Sequence, residues 1–182
     1  AHSLSLEEDA PSALALLRCA SIVGQRFLVA FDHVLPCTYI DMRTSSVYCS
    51  NQSLVLSEVG TFTMEFRYLS HHTGDITYKL VADRVMQSIM DINDGGLVSN
   101  QLAIDKDEVV EVGEDWSLGG GGDSYYEYLL KTYLLSCQRE ADEQYLTKWR
   151  QAIREAADHL VRHLSNRTAM ISSKGKNNTQ EH

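Results

Sequence analysis

The sequence predicts an all-α protein with one minor β-hairpin. Three observations carry this. Apolar residues recur at helical steps in five stretches of the 182-residue chain. Short polar turns, several with glycine, separate those stretches. Only residues 97–118 place short apolar runs on either side of a charged turn, the mark of a hairpin.

The elements follow in order. Over about Ser12 to Ala30, Leu14, Leu17, Ile22 and Leu28 lie close to a 3.6-residue period and predict a first helix. A polar, turn-rich stretch follows, from Asp32 to Asn51. Between Ser53 and about His71, Val55, Val59, Phe62, Phe66 and Leu69 fall at alternating steps of four and three, a helical stripe. Thr73-Gly74-Asp75 reads as a helix stop and a new N-cap. The next helix carries Tyr78, Val81, Val85, Ile89 and Ile92, and stops at Asn93-Asp94-Gly95-Gly96. Leu102-Ala103-Ile104 and Val109-Val110 flank Asp105-Lys106-Asp107 and give the hairpin. Gly119 to Gly122 open a helix from about Asp123 to Cys137. A last helix, about Ala141 to Leu164, shows Trp149, Ile153, Ala156, Leu160 and Leu164 at near-helical steps. Residues 165–182 are polar and aperiodic and are expected to be disordered. Helices joined by short turns stack as antiparallel pairs, which fits a bundle, a helical repeat or part of an α/α barrel.

Composition narrows the function classes. A formal net charge of −9 repels phosphate backbones, so no nucleic-acid partner is expected. The densest apolar stretch, Leu14 to Phe31, is broken by Arg18, Gln25 and Arg26, so it reads as amphipathic and no transmembrane segment is expected. Ala1-His2, followed by Glu7-Glu8-Asp9, lacks the basic n-region of a signal peptide. Cys19, Cys37, Cys49 and Cys137 show no C-x-x-C spacing; an oxidising compartment would allow disulfides, whose pairing spacing leaves open. Three N-glycosylation triplets, at Asn51, Asn166 and Asn177, lend weak support to a secretory location.

Two segments carry a family resemblance. One runs Leu56-Ser57-Glu58-Val59-Gly60-Thr61-Phe62-Thr63-Met64-Glu65-Phe66-Arg67-Tyr68-Leu69-Ser70 and on through Thr73-Gly74-Asp75. The other runs Trp116-Ser117-Leu118-Gly119-Gly120-Gly121-Gly122-Asp123-Ser124-Tyr125-Tyr126-Glu127-Tyr128-Leu129-Leu130-Lys131. Both resemble signature stretches of the glycoside hydrolase family 47 α-1,2-mannosidases, and Asp94-Gly95-Gly96-Leu97 fits with one extra glycine. The match extends over residues 12 to 164 and is weakest before Ser53. The resemblance implies an arc of an (α/α)7 barrel over residues 1–164. It also implies a calcium-dependent, inverting exo-hydrolase that trims α-1,2-linked mannose from high-mannose N-glycans in the secretory pathway.

Inversion needs one carboxylic acid to protonate the leaving oxygen and one carboxylate to activate water on the opposite face. The resemblance makes Asp123 the catalytic carboxylate, or the group orienting the attacking water. Its place suits this: it follows a glycine run that admits a sugar close to the backbone, at a helix N-terminus that attracts negative charge. The plainer alternative is an N-cap aspartate. Glu127 would line the sugar pocket, or close a capping box with Ser124. Glu58 and Glu65, seven apart on one helical face, would be pocket residues, or solvated glutamates paired with Arg67 or Arg84. Some single-mannose trimmers of the family carry Arg two residues before the catalytic Asp; here Gly121 stands there, which implies a broader trimming range. Tyr125, Tyr126 and Tyr128 could stack on sugar, but at least two are expected in the core.

Three further signals are weaker. The glycine run lacks the Lys-Ser/Thr of a phosphate loop. His159 and His163 have metal-ligand spacing without a third ligand, and adjacent His71 and His72 share no site. No metal ligand is expected in the chain, since the family's calcium-binding Thr, general acid and general base correspond to segments outside it. The isolated chain is therefore expected to be inactive. The competing class is a non-catalytic glycan-binding or helical interaction module on the same scaffold.

Overall fold

A computed structural model describes residues 10–49, 52–137 and 139–177, with side chains as far as Arg162. The triplets at Asn51 and Asn177–Thr179, and residues 178–182 of the expected tail, lie wholly or partly outside the described residues. The elements are α1 (Ala10–Phe27), β1 (Tyr39–Asp41), β2 (Ser46–Tyr48), β3 (Gln52–Val55), α2 (Leu56–Val59), α3 (Thr63–Thr73), α4 (Ile76–Met90), β4 (Gln101–Asp105), β5 (Glu108–Glu111), α5 (Asp123–Leu135) and α6 (Glu143–Asn177). The described residues are mainly helical, as the sequence predicts, with two small antiparallel sheets where the sequence predicts one hairpin.

The first helix begins at Ala10 with Pro11 in its opening turn, where a missing N–H costs nothing, and tightens into a 3-10 turn at Leu28–Phe31. It packs on α3 and α4 through Gly24, where an added Cβ would lie 2.4 Å from the Leu69 side chain and 3.1 Å from the Tyr78 ring. Its outer face keeps Leu14, Leu16, Ile22 and Val23 exposed. By length and composition alone, Pro11–Phe31 meets the requirement for a membrane-crossing helix, with a mean hydropathy of 1.5, where the sequence, interrupted by Arg18, Gln25 and Arg26, predicts an amphipathic helix.

The turn-rich stretch holds a two-stranded antiparallel hairpin, β1–β2, closed by a Cys37–Cys49 disulfide. Periodicity over strands of three residues is too short to detect. Cys19 and Cys137 remain free and exposed.

The helix expected over Ser53–His71 is divided. Gln52–Val55 form β3, which pairs antiparallel with β4. The chain then turns once as α2, breaks at Gly60, and resumes as α3. The four-and-three stripe is retained across the break, since Val59, Phe66 and Leu69 are all buried. Phe31 sits edge-on to Phe62 and against Phe66, both at 5.1 Å, and Phe66 meets Tyr78 at 5.8 Å. This aromatic row fills the space between α1, α3 and α4.

Gly74 ends α3 in the left-handed conformation (φ +77°), its N–H bonded to Ser70 O at 2.9 Å. Asp75 then caps α4 by accepting from Thr77 N at 2.9 Å, as the sequence signals predict. The predicted hairpin is β4–β5, in register Ile104↔Val109 and Asp105↔Glu108. Lys106 and Asp107 both take positive φ, 50° and 67°, the two-residue turn that matches strand twist.

The last helix departs from expectation in two ways. It continues as helical backbone to Asn177, through much of the expected tail. Its packed face is also rotated from the expected stripe: Tyr145, Lys148 and Ala152 are buried, whereas Ile153 and Leu160 are exposed. At Gly96 an added Cβ would lie 1.9 Å from Ala152 N, so α6 crosses the 91–97 loop in backbone contact. Lys148 Nζ donates to Met90 O and Asn93 O, both at 2.7 Å, and to Asn93 Oδ1 at 3.3 Å. Two turns on, Glu155 accepts from Gly96 N and Leu97 N, each at 3.0 Å. The ammonium is thus matched to carbonyls at the end of α4 and the carboxylate to loop amides. Burial pushes the Lys148 ammonium below its ordinary range, opposed by Glu155, Asp91, Asp94 and Glu111.

Candidate functional site

The candidate residues lie where α2, α3 and the start of α5 meet. Leu56 N donates to Asn100 O at 3.0 Å and Ser57 N to Gly121 O at 2.9 Å. The opening of α2 is thereby fixed to β4's lead-in on one side and to the glycine run on the other. Glu58 follows directly and is exposed. Gly60 ends this turn with its N–H on Leu56 O; an added Cβ would come within 2.7 Å of the Tyr125 ring. A side chain there would push α2 away from α5.

The glycine run forms a tight turn. Ser117 N donates to Asn100 Oδ1 at 3.0 Å, and Gly119 N to Ser117 Oγ at 2.8 Å. Gly122 N and Asp123 N then both reach Gly119 O, at 3.2 and 2.9 Å. Two positions require glycine. Gly121 has φ +93°, and a Cβ on Gly122 would stand 2.4 Å from Ser117 O and 2.7 Å from Asn100 Oδ1. Gly122 is the N-cap of α5, and Asp123 is its first residue, exposed.

This removes the capping-box alternative for Ser124 and Glu127. The helix starts one residue before Ser124, so Ser124 is already inside it. Glu127 instead pairs with Lys131 at 2.7 Å, one turn along the exposed face. The N-cap alternative for Asp123 fails similarly, because Gly122 holds that position.

Glu65 opens α3, exposed, and accepts a hydrogen bond from the Tyr128 hydroxyl at 2.7 Å. Below it a buried Thr63–Thr132 hydroxyl pair at 2.8 Å joins the same two helices. Burial, with Glu65 and Glu127 nearby, pushes the Tyr128 phenol up. The arginines considered as partners for Glu58 and Glu65 are engaged elsewhere. Arg67 Nε meets Asp83 at 2.6 Å, its Nη1 meets Asp142 at 2.8 Å, and its guanidinium lies over the Tyr145 ring. Arg84 donates to Phe31 O and His33 O.

The geometry therefore links Glu58, Gly121 and Asp123 through shared backbone bonds, and Glu65 through Tyr128 to the helix bearing Asp123 and Glu127. Tyr125 and Tyr126 are buried, as expected for at least two of the tyrosines. Sequence reading missed Asn100, Ser57 and Ser117, and treated Tyr128 only as a stacking or core ring. No local signal marks a residue whose hydrogen bonds go to segments far along the chain. His159 lies against Trp116, with ring centroids 5.2 Å apart. Among the described residues the one group with metal-ligand proximity is His33, Cys37 and Cys49. Its two sulfurs are joined to each other, and calcium takes oxygen ligands, so these residues do not fit calcium.

A model of the family described as Glycosyl hydrolase family 47 matches residues 1–182. The chain belongs to that family. It is 35% identical over 150 residues to mannosyl-oligosaccharide α-1,2-mannosidase IA of Spodoptera frugiperda, covering 79% of this chain and 22% of that protein. It is 37% identical over 118 residues to mannosyl-oligosaccharide 1,2-α-mannosidase IB of Homo sapiens, covering 63% of this chain and 18% of that protein. The fold matches the α-1,2-mannosidase from Trichoderma reesei with a TM-score of 0.74 at 24% identity, over 86% of this chain and 33% of that one. The family 47 chain thus has the fold of part of an α/α barrel, and it spans about a fifth to a third of the relatives named here.

Proposed function

We propose that this chain is part of an inverting, calcium-dependent exo-α-1,2-mannosidase that trims mannose from high-mannose N-glycans. Residues 1–164 supply an arc of its catalytic barrel. The observation that carries this reading is the Ser57–Gly121 backbone bond, which sets the turn bearing Glu58 against the turn that delivers Asp123. In this reading Asp123 is the carboxylate that activates or orients the attacking water. Glu58, Glu65 and Glu127 accept hydrogen bonds from sugar hydroxyls, and Gly121 leaves the approach to the sugar open. The Cys37–Cys49 disulfide suits the oxidising secretory pathway, the endoplasmic reticulum and Golgi or the exterior.

The partner carboxyl and the calcium ligands belong to the rest of the barrel. Because proton donation and water activation need two carboxyls about 6.5–9.5 Å apart across the sugar, the 182 residues alone are expected to release no mannose. The test is mannose release from a high-mannose oligosaccharide by the native-length polypeptide. Asp123→Asn should abolish it; full turnover in that variant overturns the reading and favours a non-catalytic glycan-binding role. A single stable trimming product from the parent would contradict the broad range assigned to Gly121.

A further inference from the structure

We propose that Asn100 is the positioning residue that holds Glu58 and Asp123 in mutual register, an inference that rests on the function proposed above. Two segments distant in sequence, the start of α2 and residues 115–122, converge on this one side chain and its backbone. Its backbone N–H donates to Asp115 O at 2.8 Å, and its backbone C=O accepts from Leu56 N at 3.0 Å. Its side-chain Oδ1 accepts from Ser117 N at 3.0 Å, where the chain enters the glycine run. The same side chain forms the floor under that run: an added Cβ on Gly121 would lie 3.4 Å from Asn100 Cβ, and one on Gly122 would lie 2.7 Å from Oδ1.

Each bond has a consequence for the site. The Leu56 bond fixes the first turn of α2, two residues before Glu58. The Ser117 bond fixes the start of a turn whose far end caps α5 and presents Asp123. Gly121 O, between them, accepts from Ser57 N. Asn100 therefore anchors both strands of the Ser57–Gly121 contact from beneath. The chemistry selects asparagine. An amide oxygen gives the acceptor that Ser117 N–H requires at short reach, without placing a second negative charge beneath a functional carboxylate. A hydrophobic side chain of similar size would strand the Ser117 N–H. A site residue displaced by about 1 Å can lose roughly a hundredfold in rate, so a small relaxation here matters.

The test uses the native-length polypeptide and compares Asn100→Ala, Asn100→Asp and Asp123→Asn. Hydrogen exchange reads the geometry, and kcat/KM per folded molecule reads the chemistry. In Asn100→Ala, amides of 117–123 should exchange at least about fivefold faster, as expected for losing one hydrogen bond. The clamp formed by Lys148 and Glu155 on residues 91–97 should keep its protection, and kcat/KM should fall about 10–100-fold. Asn100→Asp, which keeps the acceptor but adds a charge, should restore the protection at 117–123 without restoring full kcat/KM. Unchanged exchange at 117–123, a rise spread equally to residues 91–97, or full turnover despite local exchange would each overturn the inference. Absence of restored protection at 117–123 in Asn100→Asp would overturn it as well. Asp123→Asn separates this from the functional reading: if that variant keeps turnover, the catalytic assignment fails, whatever Asn100 does to exchange.

Discussion

The Tyr128 hydroxyl donates to Glu65 Oε1 across 2.7 Å, tying the first turn of α3 to the face of α5 that carries Asp123 and Glu127. A phenol here fixes which way an exposed carboxylate points. Tyr128→Phe removes that constraint with little loss of packing. Since a hydrogen bond to a charged group contributes about 1.5 kcal/mol or less when partly exposed, kcat/KM of the native-length polypeptide should fall about 5–10-fold. The melting temperature should change little. A variant with wild-type kinetics would remove Glu65 from the site.

The clamp on residues 91–97 should be the most sensitive polar feature of the fold. Lys148 is only 6% exposed and its three donor bonds all end on the 90–93 segment. Lys148→Met strands two carbonyls and leaves Glu155 without its compensating cation. A loss of about 3 kcal/mol is expected in urea unfolding. A loss below 1 kcal/mol would show that water replaces the ammonium without cost.

Alkaline stability should decline for an identifiable reason. Burial raises the phenols of Tyr125, Tyr126 and Tyr145 above their ordinary value near 10. Between that value and the folded-state value, the unfolded chain has lost protons that the folded chain retains, so stability falls as pH rises. The contribution is fully present below pH 10 and is lost above it. Lys148, shifted down, acts in the opposite direction, but three tyrosines oppose one lysine. Urea midpoints measured from pH 8 to 11 should drop, less steeply in Tyr125→Phe. That variant should also be neutral or stabilised by up to about 1 kcal/mol at pH 7, because the buried Tyr125 hydroxyl has no hydrogen-bond partner among the described residues.

Gly96→Ala should be severe and Gly120→Ala mild. The first would drive a methyl into the Ala152 backbone, which cannot rotate away; the second meets nothing within 4 Å. Overpacking against fixed backbone costs about 3 kcal/mol or more, read as a shift in the urea midpoint. Equal effects would mean that α6 slides along the 91–97 loop without penalty.

Much of this was legible in the sequence where the signal is local. Gly74 and Asp75 mark the α3–α4 boundary, because a left-handed stop and an N-cap act within a few residues. The Lys106–Asp107 turn places the hairpin for the same reason. The site residues were reached through the two signature segments, and their physical pattern alone left Asp123 an N-cap candidate. What failed was distant. β3 reads as helix because Val55 and Val59 continue the stripe, and its strand partner β4 begins at Gln101.

The sequence by itself determined the helical class, the α3–α4 boundary, the β4–β5 hairpin and the family. Those follow from short-range sterics, capping and periodicity, and from signatures written in consecutive residues. Only the tertiary structure decided that α6 packs on Lys148, Ala152 and Glu155 rather than on Ile153 and Leu160. It alone seated Asn100 beneath the glycine run and gave Glu65 a tyrosine partner. The physical reason is common to all three: a polar group becomes a core or positioning residue when its hydrogen-bond partners arrive from elsewhere in the chain. No window of neighbouring residues encodes that arrival.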